Sequence, residues 1–460
     1  MNLLRKKSIK ENTEQSNQLL RCLTAFDLTL LGIGAIIGAG IFVLTGVVAA
    51  TKAGPAIILS YIIAGFACLF SALSYAELAT AIGGCGSAYA YAYVGFGEII
   101  AWIVGWDLLL EYSITISTVA VGWSSYVKSL LESFKVHLSG TMQIAPRVNL
   151  DILALGVISI ISMLLIWGVR SSTRFNNMIV GIKLLVILLF IVVASMHVEP
   201  SNWHPFLPFG WLGVAQGASL IFFAYIGFDA VSTTAEEVIN PQRNLPIGII
   251  GSLTVSTLLY IVISGLLTGM VSYKTLNVAS PISDALLAIG FKTAAGVISV
   301  GALAGLTTVM LVLFYGLSRI FYAIARDGLL PTYFAVINEK THTPIRIIVV
   351  CGIWVGLISA LFPIGVLAEL VNIGTLVAFT MVCLGVLILH YTRPELPRPF
   401  KTPFMPYVPI LGMMSCIYLI FNLPLLTLLR FAVWFGVGMI IYFSFGRKNS
   451  ALAIKHRMQS

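Results

Sequence analysis

The sequence predicts an all-α polytopic membrane protein with twelve transmembrane helices, the first and sixth of which are broken at mid-membrane. Three observations predict this fold class. The chain of 460 residues is 58% hydrophobic and only 10% charged, with a mean hydropathy of +0.98, whereas soluble domains contain about 25% charged residues. Apolar runs of roughly 20 residues, long enough to cross a bilayer, recur along almost the whole chain. Two of these runs are interrupted near their centres, one by glycines and one by a glycine and an aspartate.

The twelve predicted spans leave no room for a sizeable soluble domain between them. They follow the apolar runs at 27–49, 56–79, 97–127, 149–169, 177–196, 212–235, 246–270, 294–323, 345–362, 366–390, 407–423 and 428–446. We divide the chain into a cytoplasmic tail, a first inverted repeat of five spans, a second such repeat, two further spans and a second cytoplasmic tail, at 1–24, 25–200, 205–390, 391–446 and 447–460.

The distribution of Lys and Arg predicts that both termini are cytoplasmic. Residues 1–21 are polar and basic and lead directly into a full-length span, unlike a cleavable signal peptide. Lys and Arg are concentrated in the segments that this orientation places inside. We therefore expect a multi-pass protein of the cell's plasma or inner membrane. The net charge of +9 follows from this topology beside an anionic leaflet and does not indicate a nucleic-acid partner.

The first span contains the glycine cluster 32–42, which predicts a break near Ile37. Each glycine costs about 1 kcal/mol relative to alanine inside a helix, so four of them in one span need an explanation. At bilayer depth, the backbone groups freed by a break must face protein, ligand or water. The alternative is a close-packing helix face that includes Gly34 and Gly38.

Acidic residues mark the second and third spans. Glu77 lies near the cytoplasmic end of the second span, where we expect it to reach the interface or to cap a helix. Glu98, Asp107 and Glu111 all belong to the third span, and three carboxylates are too many for a lipid-facing helix. This helix should therefore line the bundle interior or a wet vestibule, with proton transfer and structural pairing both left open.

The fifth span contains one charged residue, Lys183, about seven residues from its cytoplasmic start. Seven residues rise only about 10 Å, so the side chain could extend to the interface. Alternatively, its ammonium lies in the interior and binds backbone carbonyls of the first span. The sequence leaves both arrangements open.

The sixth span has Gly227 and Asp229 at its centre. The two together predict a second break near 224–228, with Asp229 as the N-cap of the inner half-helix. A continuous helix in which Asp229 pairs with a neighbour is the alternative.

Interrupted spans at corresponding positions indicate a transporter built from two inverted five-helix halves. The first span runs outward, so the N–H groups at 38–40 would point at the midplane and suit a carboxylate. The sixth span runs inward, so the carbonyls at 223–226 would suit an ammonium. A site with both properties suits an α-amino acid zwitterion held by the backbone.

Other classes of function lack sequence support. The six cysteines fall mostly within spans and form no CxxC pair, so the sequence suggests neither a disulfide framework nor a zinc site. The glycine pattern GxGxxxGxG follows no strand and is not a nucleotide fingerprint. No HExxH or GxSxG motif indicates an enzyme. A sensor without transport would need a signalling domain, and an ion channel would need a filter motif.

Several motifs, taken in order, resemble the amino acid–polyamine–organocation superfamily, and more narrowly the bacterial members of its cationic amino acid transporter family. They are Gly34-Ala35-Ile36-Ile37-Gly38-Ala39-Gly40-Ile41-Phe42, the series from Gly86-Ser87-Ala88-Tyr89 through Gly97-Glu98 and Gly105-Trp106 to Leu110-Glu111-Tyr112, Glu236-Glu237 with Asn240-Pro241-Gln242, and Arg326-Asp327-Gly328-Leu329-Leu330-Pro331.

The resemblance implies a five-plus-five inverted-repeat fold and secondary transport of L-amino acids. It places the substrate carboxylate on the backbone of Gly38, Ala39 and Gly40. It places the ammonium on the carbonyls of Ile36, Phe223, Ala224 and Ile226. Phe223 would also serve as an aromatic gate, with Glu111 and Asp229 as a further gate or acidic network. Lys183 would occupy the position at which sodium-coupled relatives hold their ion.

Lys183 favours the proton as coupling ion, and no other cofactor is expected. Thr307 and Thr308 could complete a sodium site, but a nearby ammonium would repel the ion in a low-dielectric interior. Burial disfavours a charged ammonium, so Lys183 is a candidate titrating group. Proton-coupled symport by alternating access is therefore expected, with exchange and sodium-coupled symport as alternatives.

The apolar segment 310–314 favours small neutral or apolar amino acids as substrates. Cationic substrates remain open if Glu111 or Asp229 reaches the pocket. Whether a small membrane subunit accompanies the chain is also left open.

Overall fold

The computed structural model describes residues 23–82, 88–133, 141–145, 148–167, 173–233, 238–278, 280–339, 341 and 343–454. Four sequence-based expectations fall wholly or partly outside these ranges. They concern the N-terminal tail, the motif residues Gly86-Ser87, the pair Glu236-Glu237 and the last residues of the C-terminal tail.

The described chain is almost entirely helical. Its main α-helices are α1 (Ala25–Ile36), α2 (Ile57–Ile82), α3 (Ala88–Gly95), α4 (Glu98–Ser133), α5 (Ile152–Ile166), α6 (Thr173–Ser195), α7 (Gly210–Ile221), α8 (Phe228–Thr233), α9 (Pro241–Met270), α10 (Pro281–Ala288), α11 (Lys292–Arg326), α12 (Ile345–Leu361), α13 (Ile364–Thr392), α14 (Tyr407–Phe421) and α15 (Leu425–Ile441).

Shorter helical turns complete the spans and connections. Two are α-helical, Thr45–Val48 and Arg447–Asn449; three are π-helical, Gly40–Leu44, Ala49–Ala53 and Tyr442–Gly446; the others are 3-10 turns at Gly54–Ala56, Pro200–Trp203, Phe222–Tyr225, Tyr273–Thr275 and Thr332–Phe334.

The helices are those of a polytopic membrane protein. Within the described residues, seven helical segments are long and apolar enough to cross a membrane, and five shorter apolar helices have 10–17 residues. Large apolar side chains on α6, α12 and α15 are exposed at the protein surface, as expected where lipid replaces water. The predicted all-α membrane fold is therefore confirmed.

Helix α4 lies at the centre of the bundle and packs against α3, α5, α11, α12 and α13. It has 36 residues, and a helix of that length extends about 54 Å, well beyond the roughly 30 Å of a hydrocarbon core. Its three acids are all buried, with 2%, 4% and 1% of Glu98, Asp107 and Glu111 exposed. This agrees with the prediction that the helix does not face lipid.

A two-stranded hairpin lies between α4 and α5, in a connection where the apolar pattern predicts no element. Strand β1 (Thr141–Ala145) pairs antiparallel with β2 (Val148–Asp151). Asp151 ends the hairpin and caps α5 by accepting from the Ala154 N–H at 3.1 Å. Its carboxylate also accepts from Lys128 Nζ at 2.9 Å, which joins the hairpin to the end of α4.

The first span departs from regular α-helix at the predicted place. A capping box between Thr24 and Asp27 starts α1, and the helix ends at Ile36 because Ile37 takes an extended conformation (φ −76°, ψ 99°). Helical structure resumes at Gly40 as a π turn. The segment from Ile37 to Ala39 therefore interrupts the backbone ladder.

The sixth span is interrupted as well, but the predicted role of Asp229 is wrong. Helix α7 tightens into the 3-10 turn Phe222–Tyr225, and Gly227 then adopts φ +117°, which side chains other than glycine rarely allow. This reversal lets α8 begin at Phe228. Asp229 is therefore inside the first helical turn rather than its N-cap, where its charge still complements the helix dipole.

Glu77 neither extends to an interface nor caps its own helix. It is 2% exposed and forms a buried ion pair with Arg398, with Nε and Oε1 3.2 Å apart. Its other oxygen accepts from the Thr402 N–H at 2.8 Å. The carboxylate thus ties α2 to the connection between α13 and α14.

Candidate functional site

The two interrupted segments lie against each other. A Cβ placed on Gly40 would be 2.3 Å from the Ala224 Cα, and one placed on Gly227 would be 3.0 Å from the backbone of Ala35. Real Cβ atoms do not approach as close as 2.3 Å, so the contact at Gly40 requires glycine, and at Gly227 the φ of +117° requires it as well. The backbone of one break is therefore directly accessible to the backbone of the other.

The backbone donors predicted to hold a carboxylate lie at the start of the π turn. In the described part of the chain, no backbone hydrogen bond uses the N–H of Gly38, Ala39 or Gly40 as donor, whereas the Gly38 carbonyl accepts from Phe42 N at 3.2 Å. Val309 of α11 is the side chain nearest to Gly38, 3.4 Å from where a Cβ would be. An apolar side chain therefore packs against the backbone at Gly38.

The predicted ammonium acceptors lie together, and a tyrosine already occupies two of them. The Tyr260 hydroxyl of α9 lies 2.8 Å from both the Ile36 and the Ala224 carbonyl oxygens. The Phe223 carbonyl accepts from Ile226 N at 3.2 Å. One hydroxyl therefore bridges the ends of both broken helices at the position expected for a substrate ammonium.

Packing fixes the position of this hydroxyl. The rings of Tyr61 and Tyr225 lie 5.1 Å and 5.4 Å from the Tyr260 ring. The Tyr225 hydroxyl donates to the Tyr61 carbonyl at 2.8 Å, and the Tyr61 and Thr45 hydroxyls are 2.6 Å apart. We call Tyr61, Tyr225 and Tyr260 the tyrosine cluster. It joins α2, α9 and both broken spans.

Lys183 lies in the interior and does not extend to an interface. Its side chain is 0% exposed, and Nζ donates to the carbonyls of Gly34 at 2.8 Å and Ile37 at 3.2 Å. Gly305 of α11 makes room for the stem, because a Cβ there would be 2.7 Å from Lys183 Cε. The second of the two arrangements left open by the sequence is the one observed.

The hydroxyls considered for a sodium site are engaged within α11. Thr307 donates to the Leu303 carbonyl and Thr308 to the Gly305 carbonyl, each at 2.8 Å. Thr307 also accepts from Trp123 Nε1 at 3.0 Å. Thr308 thus bonds to the same residue over which the Lys183 stem passes.

The candidate gate residues are only partly brought together. Tyr112 of α4 donates to Asp229 of α8 at 3.4 Å, which links the third span to the inner part of the sixth. Glu111, the neighbour of Tyr112, interacts electrostatically with Asp229, but its carboxylate oxygens have no hydrogen-bond partner in the described structure. Phe223 is buried beside the break, with 4% of its surface exposed.

Comparison with known protein families identifies the family to which the chain belongs. The family model described as "Amino acid permease" matches residues 23–445, which is most of the chain. The chain belongs to this family. This match confirms the resemblance seen in the motifs. The interrupted helices and the buried lysine are therefore features of an amino acid permease.

Relatives of the permease fall into several substrate groups. It is 48% identical to the methylthioribose transporter of Bacillus subtilis over 98% of this chain and 99% of that protein. It is 46% identical to the branched-chain amino acid permease BcaP of the same organism, with the same coverage. It is 38% identical to the vacuolar cationic amino acid transporter 4 of Arabidopsis thaliana, over 82% of this chain and 65% of the plant protein.

The sequence did not single out Tyr260, although it is central to the permease's site. A lone tyrosine in the apolar run of the seventh span was the only available signal. A buried tyrosine hydroxyl usually finds a partner, but the sequence does not show that the partners are the ends of two other helices.

Proposed function

We propose that the permease is a secondary active transporter that carries L-amino acids into the cell by proton-coupled symport and alternating access. The contact between Lys183 and the Gly34 and Ile37 carbonyls carries the proposal. It joins a buried ammonium directly to the break that is expected to bind substrate. Loss or gain of one proton at Nζ would then change the bonding of that break.

The proposed architecture has twelve spans, with two inverted repeats of five at 25–200 and 205–390 and two further spans at 391–446. Breaks in the first and sixth spans, which correspond under such a repeat, support it. The tails at 1–24 and 447–460 would both be cytoplasmic, in the plasma or inner membrane. The chemistry proposed is transport rather than catalysis, as the family and the relatives' names indicate.

The proposed substrate is an amino acid zwitterion bound mainly by main-chain groups. Its carboxylate would bind the N–H groups of Gly38, Ala39 and Gly40. Its ammonium would displace the Tyr260 hydroxyl and bind the carbonyls of Ile36, Phe223, Ala224 and Ile226. This arrangement needs no charged side chain in contact with the substrate backbone.

The proposed substrate side chain is small and neutral or apolar. Val309 lies opposite Gly38, and Met310 and Phe314 are fully buried nearby on the same helix. The 46% identity to a branched-chain amino acid permease supports the same choice. Cationic amino acids would require Glu111 or Asp229 to reach the site.

Methylthioribose transport is the second candidate, because the relative of that name is 48% identical over nearly the whole chain. A methylthio-sugar has neither a carboxylate nor an ammonium, so it would leave the donors and acceptors of the breaks without their complementary charges. A competition panel separates the two. Unlabelled L-leucine should inhibit uptake of labelled L-leucine by the purified protein, and methylthioribose should not.

The coupling ion is tested in proteoliposomes with Lys183→Met. We expect the unaltered protein to accumulate L-leucine when the outside is acidic, with or without sodium, and the variant to lose this response. Lys128→Met is the matched control, since Lys128 is a partly exposed lysine that pairs with Asp151, and it should behave like the unaltered protein. Uptake that requires sodium and ignores the pH gradient would contradict the proposal and favour sodium symport.

Exchange is distinguished by the contents of the vesicles. A proton symporter takes up L-leucine into vesicles that contain no amino acid, whereas an obligatory exchanger does so only when they are preloaded. Equal uptake with and without preloading under an inward proton gradient is the expected result.

A further inference from the structure

Two carboxyl groups on α4 are buried without any bond. Asp107 and Glu111 are one helical turn apart, 4% and 1% exposed, and none of their four oxygens has a hydrogen-bond partner in the described part of the chain. Glu98 on the same helix shows the contrast, because its two oxygens accept from Tyr442 at 3.1 Å and Ser450 at 2.7 Å. Glu98 is thus held by two hydrogen bonds, whereas Asp107 is held by none in the described structure.

The carboxyl group of Asp107 packs against α13 at a position where that helix has no side chain. A Cβ on Gly374 of α13 would lie 2.9 Å from Asp107 Oδ1, so the glycine leaves a slot that the carboxyl group occupies. The surrounding side chains are apolar and aromatic. A cavity adjoins this slot, lined by Ile103, Trp106, Asp107, Val377, Met381, Phe431, Trp434 and Phe435.

The charged and titratable groups that face this pair are all acids or phenols. Glu111 interacts with Asp107 on its own helix and with Asp229 on α8, and Tyr75 of α2 interacts with Glu111 and with Tyr112. Around the two carboxyl groups, α13 contributes Gly374 and Thr375, and α15 contributes aromatic side chains. None of these residues is a cation. No lysine or arginine of the described residues forms an ion pair with Asp107 or Glu111.

We propose that Asp107 is a proton-binding site, separate from Lys183, that holds a proton in this conformation and releases it during transport. The inference rests on the proposed function, because it adds a second proton site to that cycle. An ionised carboxylate without a partner is far more costly to bury than a neutral acid. In the described structure the side chain packs beside Gly374 but makes no hydrogen bond, and uptake and release of a proton is the role that its chemistry offers.

The step is a simple proton transfer. Hydronium gives its proton to a carboxylate oxygen of Asp107, which forms an O–H bond and leaves water. Release is the reverse, and it requires water to reach the slot beside Gly374. A separation of α4 from α13 would admit that water and solvate the carboxylate, so the protonation state would follow the conformation.

Infrared spectroscopy of the purified protein tests the site directly. A protonated carboxylic acid has a carbonyl stretching band that a carboxylate lacks, and Asp107→Asn should remove one such band from the spectrum. In the unaltered protein, this band should lose intensity when an equimolar mixture of free proteinogenic L-amino acids is added to the sample. It should also lose intensity when the pH is raised. Asp151→Asn is the matched control and should leave the band in place.

Two further variants keep the result interpretable. Gly374→Ala puts a methyl group against Oδ1 and should shift the band without removing the acid. Asp107→Asn should keep the melting temperature of the unaltered protein but lose accumulation of L-leucine under a pH gradient. The melting temperature shows whether each variant has folded.

Two infrared results would overturn the proposal. One is the absence of any band that depends on Asp107. The other is a band that persists unchanged with pH and with amino acids, since that acid would be permanently neutral. Neither result depends on uptake, so failure of this inference is distinct from failure of Lys183→Met to affect symport.

Discussion

A single hydroxyl group joins the two breaks. Tyr260 shares its one hydroxyl hydrogen between carbonyls at the two breaks, those of Ile36 and Ala224. Leaving such groups unpaired costs about 1–3 kcal/mol each. The hydroxyl therefore stabilises this arrangement of the two breaks, and under the proposed function an incoming ammonium would compete with it for the same oxygens.

Tyr260→Phe tests this competition. The variant keeps the ring and its packing but loses the one donor hydrogen, so we expect the free energy of unfolding without substrate to fall by about 1–3 kcal/mol. Saturating L-leucine should then raise the melting temperature of the variant more than that of the unaltered protein, because the ammonium no longer displaces a hydroxyl.

Tyr225→Phe is the matched control for this measurement. It removes a hydroxyl of the same tyrosine cluster, but one that bonds to the Tyr61 carbonyl away from the breaks. Its melting temperature should fall by a similar amount, with no change in the effect of L-leucine. An equal L-leucine effect in Tyr260→Phe and the unaltered protein would show that substrate does not displace the hydroxyl.

Single residues differ in how far the sequence reveals their environment. Lys183 was the one charge in its span, and a buried ammonium must find oxygens, so an interior contact with the first span could be considered in advance. The N-cap assigned to Asp229 was wrong by two residues, because the helix starts at Phe228 and the conformation of Gly227 fixes that start. The unpaired state of Asp107 could not be foreseen, since it depends on which residue of α13 lies opposite.

At the scale of elements, the contact between the two breaks depends on the missing side chain of Gly40. The neighbouring atom is the Ala224 backbone, which cannot swing aside as a side chain would. The first and sixth spans can therefore approach at this point only while position 40 has no Cβ.

Gly40→Ala is expected to force the two breaks apart. The added methyl would lie 2.3 Å from the Ala224 Cα, and overpacking of this kind costs about 1–3 kcal/mol. A lower melting temperature of the substrate-free protein is the measurement. Gly38→Ala is the control, since its methyl would meet Val309 at an ordinary distance of 3.4 Å, and a similar loss in both variants would contradict the explanation.

The sequence anticipated elements better than their fine structure. Glycines in the first span and the Gly227–Asp229 pair in the sixth announced interruptions, because glycine and an acid both disfavour a lipid-facing helix. No comparable sequence pattern predicts the π turns that follow the first break. The first of them begins at Gly40, which packs against Ala224, and that contact exists only in the assembled bundle.

At the scale of the whole molecule, the buried pair of Glu77 and Arg398 joins distant parts of the chain. Arg398 also donates to the carbonyls of Leu389 at 2.8 Å and Arg393 at 2.9 Å. One guanidinium thus closes the end of α13 while it holds the carboxylate of α2. The sequence shows both charged residues, which are 321 positions apart, but it does not show that they pair.

Breaking this pair should destabilise the whole bundle. Glu77→Gln and Arg398→Gln should each lower the free energy of unfolding by about 3–5 kcal/mol, because each leaves one buried charge without its partner. The double variant should lose less than the sum of the two. Thermal unfolding in detergent measures all three.

The control for this cycle lies in the same connection. Arg393 and Glu395 are 4.0 Å apart and largely exposed, so Glu395→Gln should have a negligible effect. Additive losses for Glu77 and Arg398 would show that the two charges do not interact in the folded protein.

The π turns beyond the first break have a mechanical consequence. Gly40–Leu44 and Ala49–Ala53 each carry more residues per turn than the α-helix between them. Such a turn resembles a dislocation in a crystal, which moves by exchanging one bond at a time. A helix with two π turns can therefore twist as each π turn shifts along the chain. Most of its backbone hydrogen bonds stay in place during that shift.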